Sequence, residues 1–281
     1  MSPTTLDAFL RPSGTLNEPT RTSSGCRSLL GRIAKSCIRA IVTNRQSAIA
    51  GDGDAIHTMR IALTKLRAAA LFFKPWVAEV EWQKINSELR WLNKVLGNAR
   101  DWDVTIEYIE RAHHRRRARK SWHTALRSHD EAHHRLAKTL RSDRYRRLAE
   151  ALNCWLDKHY GSGNEPSPHG DNDYCETCLR DWREKLIKNE QRVSVLKRKQ
   201  LHRFRIRSKY YRYMVDSLID LGMTVSRDDF TFYEIVRRLH RDIGELRDLR
   251  RFRKYVGKHS LQYRKRRREL MSRVKQSFRQ Y

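Results

Sequence analysis

Beyond about residue 26, apolar residues recur at helical spacing almost everywhere, and no stretch sustains the period-two alternation of a half-buried strand. The pattern predicts an all-α chain, with helices near 27–49, 54–73, 79–97, 101–140 (either continuous or broken), 142–159, 173–190, 195–221, 228–256 and 258–279. The first 25 residues are rich in Ser, Thr and Pro and lack an apolar segment, which is the composition of a disordered tail rather than of a secretory leader. The run GSGNEPSPHGDND (161–173) is the strongest internal break. It sets a linker at 161–171 and divides the body, 26–281, into halves of about 26–160 and 172–281, each expected to be a bundle of about four helices.

One pattern occurs in both halves. IHTMRIALTKLR (Ile56–Arg67) returns as LHRFRIRSKYYR (Leu201–Arg212), and each copy is followed by a glycine and an Arg-Asp pair, in LGNARD (Leu96–Asp101) and IGELRD (Ile243–Asp248). In the first copy Ile56, Met59, Leu63, Leu66 and Ala70 make an apolar stripe, and His57, Arg60 and Arg67 fall on its flank. In the second, Leu201, Phe204, Tyr211 and Val215 make the core edge, flanked by His202, Arg205, Lys209 and Arg212. Charges kept only for solubility are free to sit opposite the core; a charged stripe beside the core edge points to a lined groove. The copies differ where Thr64 replaces Lys209, and the nearest cation, Lys65, is rotated by about 100°. Arg90 and Lys94 precede the first glycine as Arg237 and Arg241 precede the second, each pair sharing a helix face. Gly97 and Gly244 either end these helices or allow close approach, and Asp101 or Asp103, and Asp248, are expected to cap the next helix or to pair with arginine.

Charge sharpens this picture. The formal net charge is +28 over 281 residues, and Arg outnumbers Lys by more than two to one. Self-repulsion at this density favours an anionic partner, and the planar guanidinium fork suits phosphate oxygens. Five scattered cysteines read as reduced thiols, and no apolar run approaches the roughly 18 residues of a membrane span, so a cytoplasmic location is expected.

The ordered motifs HTMRIALTKLR, WLNKVLGNARDWDV (Trp91–Val104), HRFRIRSKYYR and IGELRDL (Ile243–Leu249) resemble the CHAD family of histidine-containing α-helical domains, over roughly residues 27–279. The resemblance implies two four-helix bundles related by a pseudo-twofold axis, with a central basic channel that binds inorganic polyphosphate. Carried over position by position, the binding residues are His57, Arg60, Arg67, Arg90 and Lys94, then His202, Arg205, Lys209, Arg212, Arg237 and Arg241; Lys65 is added only as the cation nearest to Thr64. Thr64 and a shortened C-terminal stretch depart from the family pattern. The triphosphate-tunnel (CYTH) barrel often joined to this domain is not expected here, because EVEWQK (Glu79–Lys84) has the wrong spacing for its Glu-x-Glu-x-Lys strand.

The chemistry expected is therefore binding without catalysis, with association to polyphosphate granules; no cofactor is implied. Arg60 and Arg67 stand roughly 10 Å apart along a helix, enough to reach several phosphates. His57, near a predicted helix start, is expected to use the free N–H groups there to favour an anion, coupling affinity to pH. A nucleic-acid reading uses the same charge and predicts Trp102 or Trp122 in the groove. Metal is not expected. Cys175 and Cys178 form only half a zinc pattern, with His159 and His169 upstream. His129 and His133 share a face near His113, His114 and His134, but Arg111, Arg115, Arg116 and Arg117 oppose a cation and suit a second anion-binding surface. RKRRR (Arg264–Arg268) reads as a basic helix face. No Walker loop, paired-carboxylate site or Ser/His/Asp order stands out.

Overall fold

The computed structural model describes residues 24–111, 119–160, 170–190, 198–256 and 261–279. Among them the chain is all-α and holds no strand from which a CYTH barrel could be built. The N-terminal tail, the linker over 161–169, and the run His113–Arg117 lie outside the described residues.

Helix α1 (Ser24–Thr43) buries Leu29, Leu30, Ile33, Cys37, Ile38 and Ile41 on one face. The predicted helix 27–49 is interrupted where Thr43 Oγ1 and Asn44 Nδ2 donate back to the carbonyls of Arg39 and Ala40. A short α2 (Arg45–Ile49) follows. Gly51, at φ 93°, turns the chain into α3 (Gly53–Phe72), whose N-cap Asp52 accepts from the backbone N–H groups of Asp54 and Ala55. The predicted stripe of α3 is buried, and Ala55, Ala62, Ala68, Ala69 and Phe72 are buried with it, so this helix packs on several sides.

A 3₁₀ turn at Lys74–Trp76, with Pro75 barring helix continuation, leads into α4 (Glu79–Arg111). Here the predicted boundaries need correction. Residues 79–97 and 101–111 form one helix that runs through Gly97; α5 (Arg119–Arg141) covers the rest of the predicted 101–140 stretch, and residues 112–118 between them lie outside the described residues. A mid-helix glycine costs about 1 kcal/mol, which the packing of Leu89, Leu92, Leu96 and Ala99 into the core outweighs. Ser142 caps α6 (Asp143–Tyr160), its Oγ accepting from Tyr145 N–H.

The second half comprises α7 (Gly170–Glu190), α8 (Arg198–Asp220), α9 (Arg227–Val256) and α10 (Leu261–Arg279). Gly244 likewise lies inside α9 rather than at its end. Ser226 and Asp229 cap α9 reciprocally: Asp229 N–H donates to Ser226 Oγ, which donates to Asp229 Oδ2. Phe204, Tyr211 and Val215 are buried as expected, and Tyr211 Oη donates to Asp229. The Leu201 side chain lies outside the described set.

The halves meet where α3 packs on α8, α4 on α9, and α1 on α7. Phe72, Phe73 and Trp76 meet Tyr174 and Trp182 at ring separations of 4.7–6.1 Å, and Tyr174 Oη donates to the Phe72 carbonyl at 2.6 Å. Cys175 and Cys178 are buried beside this aromatic group, and burial holds the Cys178 thiol far above its ordinary range. Both act as small apolar core residues. His159, one suggested metal partner, is engaged elsewhere, 2.6 Å from Glu81.

Candidate functional site

Packing of α3 on α8 and of α4 on α9 brings the two copies of the motif to one crossing. The Arg60 guanidinium lies over Gly97: a Cβ built there would stand 3.8–3.9 Å from its atoms. Arg205 lies over Gly244 in the same way, with Nη2 3.6 Å from such a Cβ. Each arginine thus lies across the helix surface at the glycine of its own half, at a distance where a Cβ would make ordinary van der Waals contact. Both arginines are largely buried, and neither Nε has a hydrogen-bond partner.

Lys209 is the electrostatic centre of this crossing. Burial pushes its ammonium down to about 7, and the charges of Arg60, Arg205, Arg212 and Arg247 push in the same direction. Its Nζ and the Arg212 guanidinium lie 5.2 and 4.9 Å from the Tyr213 ring centroid, so part of their charge is met by a π face. His240, on α9, is pushed down to about 3 by burial and then by Arg205, Arg212 and Lys209. His57 is exposed yet partly desolvated; burial, Arg100, Arg60 and Lys209 lower it, in that order.

The helix-end account of His57 needs revision. It stands in the second turn of α3, and Asp52 already takes the N–H groups of Asp54 and Ala55. Desolvation first, and then neighbouring cations, rather than free backbone donors, lower its tendency to hold a proton.

Carboxylates offset part of the charge. Asp101 on α4 accepts from Arg247 Nη2 at 3.0 Å and is also bonded to Arg251, linking the halves; it caps nothing, since α4 continues through it. Burial raises Asp248, against the pull of Arg251, Arg247 and Arg205. Arg212 Nε lies 3.8 Å from Asp216.

Of the residues singled out in the sequence, His57, Arg60, Arg205, Lys209 and Arg212 therefore share one electrostatic neighbourhood. Others are engaged differently. Lys65 pairs with Asp220 at 3.2 Å, and Arg67 Nε donates to Asn86 at 2.8 Å. Arg237 pairs with Glu234, and Arg241, largely exposed, lies beside Asp242. Arg90 is half-buried with its Nε lacking a hydrogen bond, whereas Lys94 and His202 are exposed. Given no binding role in the sequence were Arg100 and Arg247, the arginines of the two Arg-Asp pairs, and His240 and Tyr213 were missed. The signal was present: His240, Gly244, Arg247 and Arg251 recur at spacings of four, three and four along α9, one stripe through the motif glycine.

A CHAD-domain family model matches residues 32–256. The chain belongs to the CHAD family. Its fold is similar to that of the CHAD domain from the plant Ricinus communis, with a TM-score of 0.70 at 19% identity, covering 91% of this chain and 92% of that one. It is also similar to PptA from Streptomyces chartreusis, with a TM-score of 0.67 at 12% identity over 92% of this chain and 99% of that one. No curated protein matches the sequence. CHAD domains are associated with polyphosphate, and among the described residues of this CHAD domain no helix is long and apolar enough to cross a membrane.

Proposed function

We propose that the crossing of α3, α8, α4 and α9 is a non-catalytic binding site for inorganic polyphosphate, shaped as a groove or channel between the halves. The observation that carries this reading is the convergence of Arg60, Arg205, Arg212 and Arg247 on Lys209, whose ammonium is pushed down to about 7 by burial and then by their charges. Such crowding is unfavourable in isolation and is relieved by an anion that supplies one charge per repeating unit. Linear polyphosphate has no base or sugar to recognise, so closely spaced guanidinium and ammonium groups are a sufficient reader. The site carries arginines on both halves, which suits a chain that passes between them. On this reading the protein works in the cytoplasm and gathers on polyphosphate granules, without turning its ligand over.

The test is competition between long-chain polyphosphate and single-stranded RNA of equal charge at moderate salt, read by displacement of a labelled polyphosphate. Polyphosphate is expected to win, and preference for RNA would reverse the assignment toward a nucleic-acid-binding protein. In the same assay Arg60→Met with Arg205→Met removes two charge-assisted contacts worth about 1.5–3 kcal/mol each, a loss of roughly a hundredfold or more. Arg267→Ser with Arg268→Ser, both exposed on α10, should leave affinity within about threefold at moderate salt. Equal losses in the two variants would mean diffuse attraction rather than a site.

A further inference from the structure

The fold adds to His129 and His133 a carboxylate that the sequence did not connect with them. The two histidines lie one turn apart on α5, with ring centroids 4.3 Å apart. Their Nε2 atoms approach the same oxygen, Oδ1 of Asp103 on α4, at 3.3 and 2.6 Å. One ligand atom from each of the three residues lies within 4.8 Å of the others. The Asp103 side chain is only 10% exposed, and its second oxygen is buried with no hydrogen-bond partner, 3.7 Å from Arg100 Nη1.

A second carboxylate orients His129. His129 Nδ1 is 3.1 Å from Asp130 Oδ1. When Nδ1 donates there, Nε2 is left directed at the gap beside Asp103 Oδ1, where it can serve as a ligand. A carboxylate that orients one ring nitrogen so that the other faces a ligand position is the usual second partner of a metal-bound histidine.

We propose that Asp103, His129 and His133 form a binding site for a divalent transition metal, Zn²⁺ in the first instance. Bonds of about 2.0–2.1 Å in tetrahedral geometry separate two ligand atoms by about 3.3 Å. The His129–Asp103 pair already has that separation. The His133–Asp103 pair, at hydrogen-bond distance, needs to open by roughly 0.7 Å, a small side-chain rotation. Imidazole and carboxylate together suit Zn²⁺, and three protein ligands leave a fourth position for water or an anionic oxygen. The flanking arginine does not forbid a cation. Arg100 also lies 3.4 Å from Glu107, so Asp103, Asp130 and Glu107 outnumber it at the site. Bound metal would tie α5 to α4 beside the start of α3, where a Cβ built on Gly53 meets both Arg100 and Asp103.

The full chain, stripped of metal by a chelator, is titrated in phosphate-free buffer with Co²⁺ followed optically and with Zn²⁺ by calorimetry. One equivalent of Co²⁺ with the visible bands of a tetrahedral N/O site, displaced by Zn²⁺, is expected. Zn²⁺ should raise the melting temperature by mass action. Asp103→Asn, which keeps the side-chain shape, and His129→Ala with His133→Ala should each weaken Zn²⁺ at least about tenfold. His202→Ala and Cys154→Ser, outside the cluster and exposed, should bind as the unaltered chain does. Absence of stoichiometric Zn²⁺ binding at micromolar metal, thiolate-to-cobalt charge-transfer bands, or Asp103 and histidine variants that bind Zn²⁺ as tightly as the unaltered chain would each overturn the site. No polyphosphate enters the experiment, so its failure leaves the proposed binding function untouched.

Discussion

Lys209 offers the sharpest test of the basic crossing, because ligand binding there must move a proton. In the empty protein its ammonium titrates at about 7, held down by burial and by Arg60, Arg205, Arg212 and Arg247. A bound polyanion reverses that balance and returns the group toward its ordinary value of about 10.4. At pH 8 the empty lysine is only about one-tenth protonated, so binding takes up about 0.9 of a proton. At pH 6 it is already charged, and Lys209 takes up only about 0.1. Affinity should therefore fall with rising pH, approaching tenfold per unit above about pH 8. Stability of the empty protein moves the opposite way. The folded-state value lies below the unfolded one, so the unfolded chain holds more protons above pH 7, and the Lys209 contribution rises by about 2 kcal/mol between pH 7 and 9. Calorimetry of polyphosphate binding in two buffers of different ionisation enthalpy measures the uptake directly. Lys209→Arg, which keeps the charge and does not titrate in this range, should bind with almost no uptake at pH 8. Uptake near zero in the unaltered chain, or undiminished uptake in Lys209→Arg, would refute the reasoning.

Three further outcomes follow from the same geometry. Gly97→Val or Gly244→Val places a branched side chain where the Arg60 or Arg205 guanidinium lies; displacement of one charge-assisted contact should weaken polyphosphate about tenfold or more in the displacement assay. Asp101→Asn removes the carboxylate shared by Arg247 and Arg251; it should lower thermal stability by about 1–3 kcal/mol while tightening polyphosphate binding, and loss of both would show that Asp101 organises the site. If about five phosphates are neutralised, log K should fall against log salt with a slope of roughly −3.5 to −4.5, and a slope near −1 would mean a much smaller footprint.

Much of the fold was open to sequence reading because helical periodicity is local. The stripe Ile56, Met59, Leu63 and Leu66 on α3, and its counterpart Phe204, Tyr211 and Val215 on α8, needed only the angular step between neighbouring residues, and all are buried. The break assigned near Gly97 failed for the complementary reason. Local propensity disfavours glycine by about 1 kcal/mol, but that cost is set against tertiary contacts that no window along the chain contains. The choice of cations was affected similarly. Arg237 and Arg241 share a face with the motif glycine, yet they lie beside Glu234 and Asp242, while His240 and Arg247 reach the charged centre. Arg266, in the C-terminal basic run, is held by Glu245 and Glu269 and is no free surface charge.

The sequence by itself determined the helical class, the twofold recurrence of a histidine-arginine motif, the family, and an excess of positive charge. Each follows from composition or from spacing within one helix. Only the tertiary structure decided that Arg60 lies on Gly97 and Arg205 on Gly244, that Lys209 is discharged near neutrality, that Asp101 joins the halves, and that Asp103 meets two histidines from another helix. The physical reason is that desolvation and Coulomb energies depend on which helices face one another, and that choice is made by packing the whole core rather than by any single segment.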